Sequence, residues 1–168
     1  MGLLQVATST VTSAVASVDL IGTTTDDVYM CTFKNVTGSV DTEHLFLRVL
    51  VSGTPDTSAN YDRARKQLRA GASFVNSSNT NENQTYIGQQ IGTASNSQTN
   101  GIMYFYNFNN ASEYAFGTLE ELAVRQAGDL TGNQGGWVHT SAQACNGVRF
   151  FMEDGNLLSG TFTLYKVV

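Results

Sequence analysis

Charge is scarce in this chain. Asp, Glu, Lys and Arg make up 14% of its 168 residues, against roughly 25% in ordinary soluble domains. Ser, Thr, Asn, Gln and Gly take the place of the ions, and such groups cost less to desolvate where a surface packs against neighbours. The net charge of -5 excludes sequence-independent binding to a phosphate backbone, so no nucleic-acid partner is expected. Cysteine is nearly absent. Cys31 and Cys145 lie far apart, each in or beside an apolar run, and predict buried, reduced thiols rather than a disulfide framework. No apolar run approaches the roughly 18 residues that span a bilayer, and no membrane partner is expected. The opening Met1-Gly2-Leu3-Leu4-Gln5 lacks the basic and apolar regions of an export signal. The sequons starting at Asn35, Asn76, Asn83 and Asn110 then read as by-products of an Asn/Ser/Thr-rich composition.

Groups able to do chemistry are equally thin. The two histidines, His44 and His139, have no companions at ligand spacing, and Glu43 and His44 point to opposite faces of a strand, so they cannot hold one ion together. Val51-Ser52-Gly53 and Leu158-Ser159-Gly160 lack the first glycine of a nucleophile elbow. The carboxylate pairs Asp26-Asp27, Glu120-Glu121 and Glu153-Asp154 read as solvated surface. Glycoside hydrolysis needs two carboxylates at a set separation, and Glu120 or Asp129 are the residues a depolymerase would use. That is the least favoured reading. No catalytic residue, cofactor or metal is assigned.

What the sequence does contain is a succession of short strands. Leu4 to Thr12 is rich in β-branched residues, and Ala14 to Leu20 alternates apolar and polar. Tyr29, Cys31, Phe33 and Asn35 face one way over Val28 to Val36, and Leu45 to Val51 is almost continuously apolar. Tyr61 to Phe74 has helix-forming residues but no apolar stripe at a spacing of 3.6, so an extended conformation is expected there. Thr85 to Ile91 and Gly101 to Phe108 read as strands, the second aromatic at alternate positions. Asn76 to Asn83, Thr93 to Asn100 and Gly128 to Gly136 read as loops, and Thr118 to Gln126 as either a helical turn or a strand. Gly147 to Val168 reads as a closing hairpin, turned by Asp154-Gly155. Strands without βα alternation predict one all-β domain over 1–168, an antiparallel β-sandwich of the jelly-roll type.

Arg63, Arg65, Lys66 and Arg69 are four of the nine cations. Period 2 puts Arg63, Arg65 and Arg69 beside Tyr61, as a solvated face or a contact surface for an acidic partner.

The run Tyr29-x-x-x-Phe33-x-Asn35-Val36, then Leu45-Phe46-Leu47-Arg48 with Gly53-Thr54 and Tyr61, and above all the closing GxRFFxxxGNxxSGTFxLY pattern from Gly147 to Tyr165, resembles a group of small jelly-roll proteins of tailed bacteriophages. Such proteins occur as capsid decoration (cement) proteins and as parts of tail fibres or tail tips. In this chain Lys166-Val167-Val168 replaces their usual Gly-Ile ending. The resemblance implies a virion structural protein, assembled in the host cytoplasm and often a homotrimer. Its first form is a decoration protein bound to the major capsid protein or another virion protein. Residues 1–11 are then a candidate assembly arm, and Leu3, Leu4, Val6, Arg63, Arg65, Lys66 and Arg69 the expected contacts. Its second form is a tail module that recognises a host receptor or glycan, with Trp137, Tyr104 and Tyr106 as stacking residues.

Overall fold

The computed structural model describes residues 2–168 and contains thirteen strands. They are β1 (Leu3–Val11), β2 (Ser17–Ile21), β3 (Tyr29–Gly38), β4 (Glu43–Val51), β5 (Thr54–Pro55), β6 (Tyr61–Arg69) and β7 (Val75–Glu82). Then follow β8 (Thr85–Ile91), β9 (Thr99–Tyr106), β10 (Ala115–Val124), β11 (Leu130–His139), β12 (Gly147–Met152) and β13 (Leu157–Val167). All pair antiparallel, in two sheets packed as a β-sandwich. The larger sheet runs β1-β13-β3-β9-β10-β11-β6-β7, and the smaller runs β2-β12-β4-β5 with β8 also on β4. No helix among the described residues is long and apolar enough to cross a membrane.

Alternation decides which side chains enter the space between the sheets. On β3, Tyr29, Cys31 and Phe33 point inward, and on β4 Leu45, Leu47 and Val49 do. Asn35 leaves that series because a bulge between Phe33 and Val36 puts it at a positive φ of 55°. Both cysteines are free and buried, and burial pushes the Cys145 thiol up to about 12.

The closing segment corrects the expected hairpin. β12 lies in the smaller sheet between β2 and β4, whereas β13 lies in the larger sheet between β1 and β3. The two strands do not pair. Asp154-Gly155 turns an arch that carries the chain across the sandwich, with Gly155 at a φ of 73°. Alternation reads the same in both arrangements, because each strand must bury one face. As a result Phe150 of β12 packs on Phe162 of β13, the rings tilted by 36° with centroids 4.8 Å apart, and also meets Phe33 of β3 at 6.4 Å.

Two expected loops are strands. β7 replaces the loop at 76–83: it is an edge strand exposed on both faces, so it carries no apolar alternation. β11 replaces the loop at 128–136. Its glycines answer to crowding rather than turning: a Cβ on Gly135 would lie 2.3 Å from the Ala64 carbonyl oxygen. Tyr61–Arg69 is extended as expected, but the chain turns at Gly71 before reaching Phe74, and 118–124 is strand. Residues 3–11 are not a free arm, since β1 pairs along β13 and buries Val11.

Truncating Phe150 should destabilise the fold by about 3–5 kcal/mol, whereas Phe116→Ala on the outer face should cost under about 1 kcal/mol. Urea midpoints of the two variants check this contrast.

Candidate functional site

The outer face of the larger sheet carries a trench that crosses the strands. Register aligns Thr118 of β10, Gly136 of β11, Ala64 of β6 and Ser78 of β7 in one row. Gly136 and Ala64 give this row a floor almost free of side chains. On one side lies the row Tyr106, Phe116, Val138 and Asp62, and on the other Ile102, Glu120, Gln134 and Lys66. The central groove has a volume of about 590 Å³. It continues into a recess of about 380 Å³ beside Tyr104 and another of about 400 Å³ beside Asn76. Tyr104, Tyr106 and Phe116 remain 36%, 38% and 44% exposed, so aromatic surface is open to a ligand.

Trp137 does not join Tyr104 and Tyr106 as an open platform. It faces inward, 5% exposed, against Phe105 and Phe108 at centroid distances of 6.0 and 6.1 Å. Its indole fills the space that a side chain at position 117 would need: Nε1 lies 2.4 Å from the site of a Cβ on Gly117. The indole therefore lines the groove from beneath, and Nε1 has no hydrogen-bond partner within the protein.

The basic group divides. Lys66 is exposed on the outer face, its ammonium 5.3 Å from the Phe74 ring centroid. Arg63 and Arg65 share the inward face with Tyr61 and cover Tyr86 of β8, with guanidinium carbons 5.4 and 3.5 Å from its ring centroid. The period-2 grouping holds, but it faces β8 rather than solvent. Leu3 and Leu4 are half exposed at the edge of the larger sheet, beside the paired backbones of Gly2 and Val168. Val6 is partly buried against the core.

A polar cluster inside the sandwich escaped the reading of the sequence. Glu121, 3% exposed, accepts hydrogen bonds from the Thr99 hydroxyl and the Asn133 amide, and Arg65 Nη1 donates to Asn133 Oδ1 at 3.0 Å. Burial pushes the Glu121 carboxyl up to about 7 against the opposing pull of these hydrogen bonds and of Arg65. Of the pair Glu120-Glu121, expected to be solvated, Glu120 points outward but Glu121 is buried, because neighbours in a strand face opposite ways. The alternation Leu119, Glu121, Ala123 was the available signal for Glu121.

A second buried pair anchors the loop after β5. His139 Nε2 lies 2.9 Å from Asp56 Oδ2, and Gln143 donates to the same oxygen at 2.8 Å. Partial burial opposes ionisation of Asp56, but hydrogen bonds from Ser58, Gln143 and His139 hold its carboxyl down to about 2. His44 sits against Tyr86 and lies 3.3 Å from Glu153. Among the described residues no three His, Cys, Asp or Glu side chains group as a metal site. In comparison with known proteins, the chain matches no family model, no curated protein and no solved structure.

Glu121 sets a pH dependence. The unfolded chain releases the carboxyl proton near 4.5 and the folded chain near 7, so stability should fall as pH rises through that window and level off above it. The full change is about 3 kcal/mol. Glu121→Gln, which keeps the shape of the protonated acid, should abolish the slope, as unfolding curves from pH 4 to 8 would register.

Proposed function

We propose that this chain is a structural protein of a tailed-bacteriophage virion, a capsid decoration protein that docks as a homotrimer on the major capsid protein after assembly in the host cytoplasm. Strand order carries the reading. The orders β1-β13-β3-β9 within the larger sheet and β2-β12-β4-β8 within the smaller are those expected of the two interleaved four-strand sets of a jelly roll, on the reading that β5 to β7 and β10 to β11 are insertions. This order supports the resemblance drawn from the closing sequence pattern. Fold alone does not fix function. The role is one of binding and assembly, without catalysis, cofactor or metal.

The edge strand β1 is the surface best suited to the shell. Leu3 and Leu4 present apolar side chains on a strand whose outer backbone edge is free to pair. Replacing both with Lys should empty the capsid sites while the unfolding midpoint stays within about 0.5 kcal/mol of wild type. Undiminished occupancy on capsids would remove this assignment, and sedimentation of the free protein as a monomer would remove the trimer.

A second reading, a tail-fibre or tail-tip module that recognises a host surface, is favoured by one observation: the trench with its open aromatic rings. Immunogold labelling of intact particles over head or tail decides between the two.

A further inference from the structure

We infer that the trench across β9, β10, β11, β6 and β7 is a binding site for an uncharged oligosaccharide. The inference draws its biological setting from the host-recognition reading, but binding itself is measured independently of where the subunit sits.

The case begins with the floor. The central strands beneath the trench already use their backbone groups in the sheet ladders, so an extended peptide laid across them finds no main-chain partners. Recognition must come from side chains. Tyr106 and Phe116 are register neighbours with exposed rings, and an aromatic ring packs on the apolar C–H face of a pyranose. Opposite them, Thr118, Gln134 and Ser78 offer hydroxyls and an amide, groups that both donate to and accept from sugar hydroxyls. The rings of Tyr106 and Phe116 stand in one row, and the polar groups lie on the floor and in the opposite row.

Charge selects among sugars. Asp62 faces Lys66 across the trench and Glu120 stands in the same row as Lys66, while the Arg63 and Arg65 guanidiniums are turned toward Tyr86 on the other side of the sheet. The outer rows therefore carry a slight acidic excess on a chain of net charge -5, which opposes a polyanion and leaves a neutral ligand unopposed. Across four strand spacings the trench is about 19 Å long, room for several rings in file.

The test uses the full chain and its only tryptophan. Trp137 lines the groove from beneath, so a ligand in the trench should change its emission. Cellotetraose, maltotetraose, chitotetraose and mannotetraose at millimolar concentration, with heparin tetrasaccharide as the anionic control, are titrated alongside an array of neutral and acidic bacterial polysaccharides. We expect saturable binding to a neutral sugar on the array or in the titrations. Tyr106→Ala should weaken it about threefold to tenfold, and Ala64→Phe, which fills the floor from an exposed position, should abolish it. Both variants should unfold at the wild-type urea midpoint. No saturable binding to any neutral sugar, binding only to acidic ones, or affinity unchanged in both variants would each overturn the inference. Sugar binding with gold over the head defeats the tail reading and leaves the trench assignment standing. Tail labelling without sugar binding does the reverse.

Discussion

The packing of Phe150 on Phe162 is the contact on which the architecture turns. One ring comes from the middle of the smaller sheet and the other from the larger, and the short arch through Gly155 joins them. Because β12 is flanked by β2 and β4, and β13 by β1 and β3, the last two strands each enter between strands made much earlier in the chain. The sandwich can therefore close only after its first third is in place. Such long-range pairing raises contact order and slows folding, but it locks both sheets with the same segment. A void at Phe150 would loosen two hydrogen-bonded layers at once.

The remaining architecture follows from unequal sheets. The larger one extends through β10, β11, β6 and β7, and in that half β8 is the strand of the smaller sheet packed against it. The interior there is correspondingly polar: Arg65, Asn133, Glu121 and Thr99 form a connected set of hydrogen bonds. A buried network of this kind is acceptable only where each member finds a partner. The carboxyl that pulls least comfortably toward ionisation, Glu121, is the one that titrates late. The four strands that carry this cluster, β6, β9, β10 and β11, present the trench on their reverse. Thus β10 alternates between the interior at Leu119 and Glu121 and the trench at Thr118 and Glu120, and a change of register by one residue would exchange core and site.

Much of this was legible in the residues. A nearly continuous apolar run located the strand from Leu45 to Val51, and alternation grouped Arg63 and Arg65 with Tyr61. It failed where its premise failed. β7 has two wet faces and so no alternation to read, and in β11 glycine marks close approach to Ala64 and Gly117 rather than a turn. Period 2 also says nothing about which face is inside. That is why the arginines were placed on a surface when they cover Tyr86, and why Trp137 was placed on a platform when it packs on Phe105. The hairpin expected at the C-terminus erred for a related reason: local sequence specifies two strands and a turn, but only the partners at β2, β4, β1 and β3 decide that the strands lie in different sheets. Tyr104 and Tyr106 could be seen as exposed candidates, whereas the trench itself could not, because it is made by register across five strands.

The surface proposed for attachment and the trench proposed for recognition occupy different parts of the same sheet. Leu3 and Leu4 lie on β1, at one end of the strand order, and the trench lies from β9 to β7 at the other. With neighbouring strands about 4.8 Å apart, a copy held along β1 has two strands, β13 and β3, between its contact and the near end of the trench. The aromatic row then stays open whether the subunit sits on a head or a tail. A low-charge surface is compatible with both tasks, since hydroxyls and amides bind a shell neighbour or a sugar without first shedding tightly held water. The division means that the two activities are separable by mutation: changes on β1 act on occupancy and leave sugar affinity alone, and changes at Tyr106 or Ala64 do the opposite.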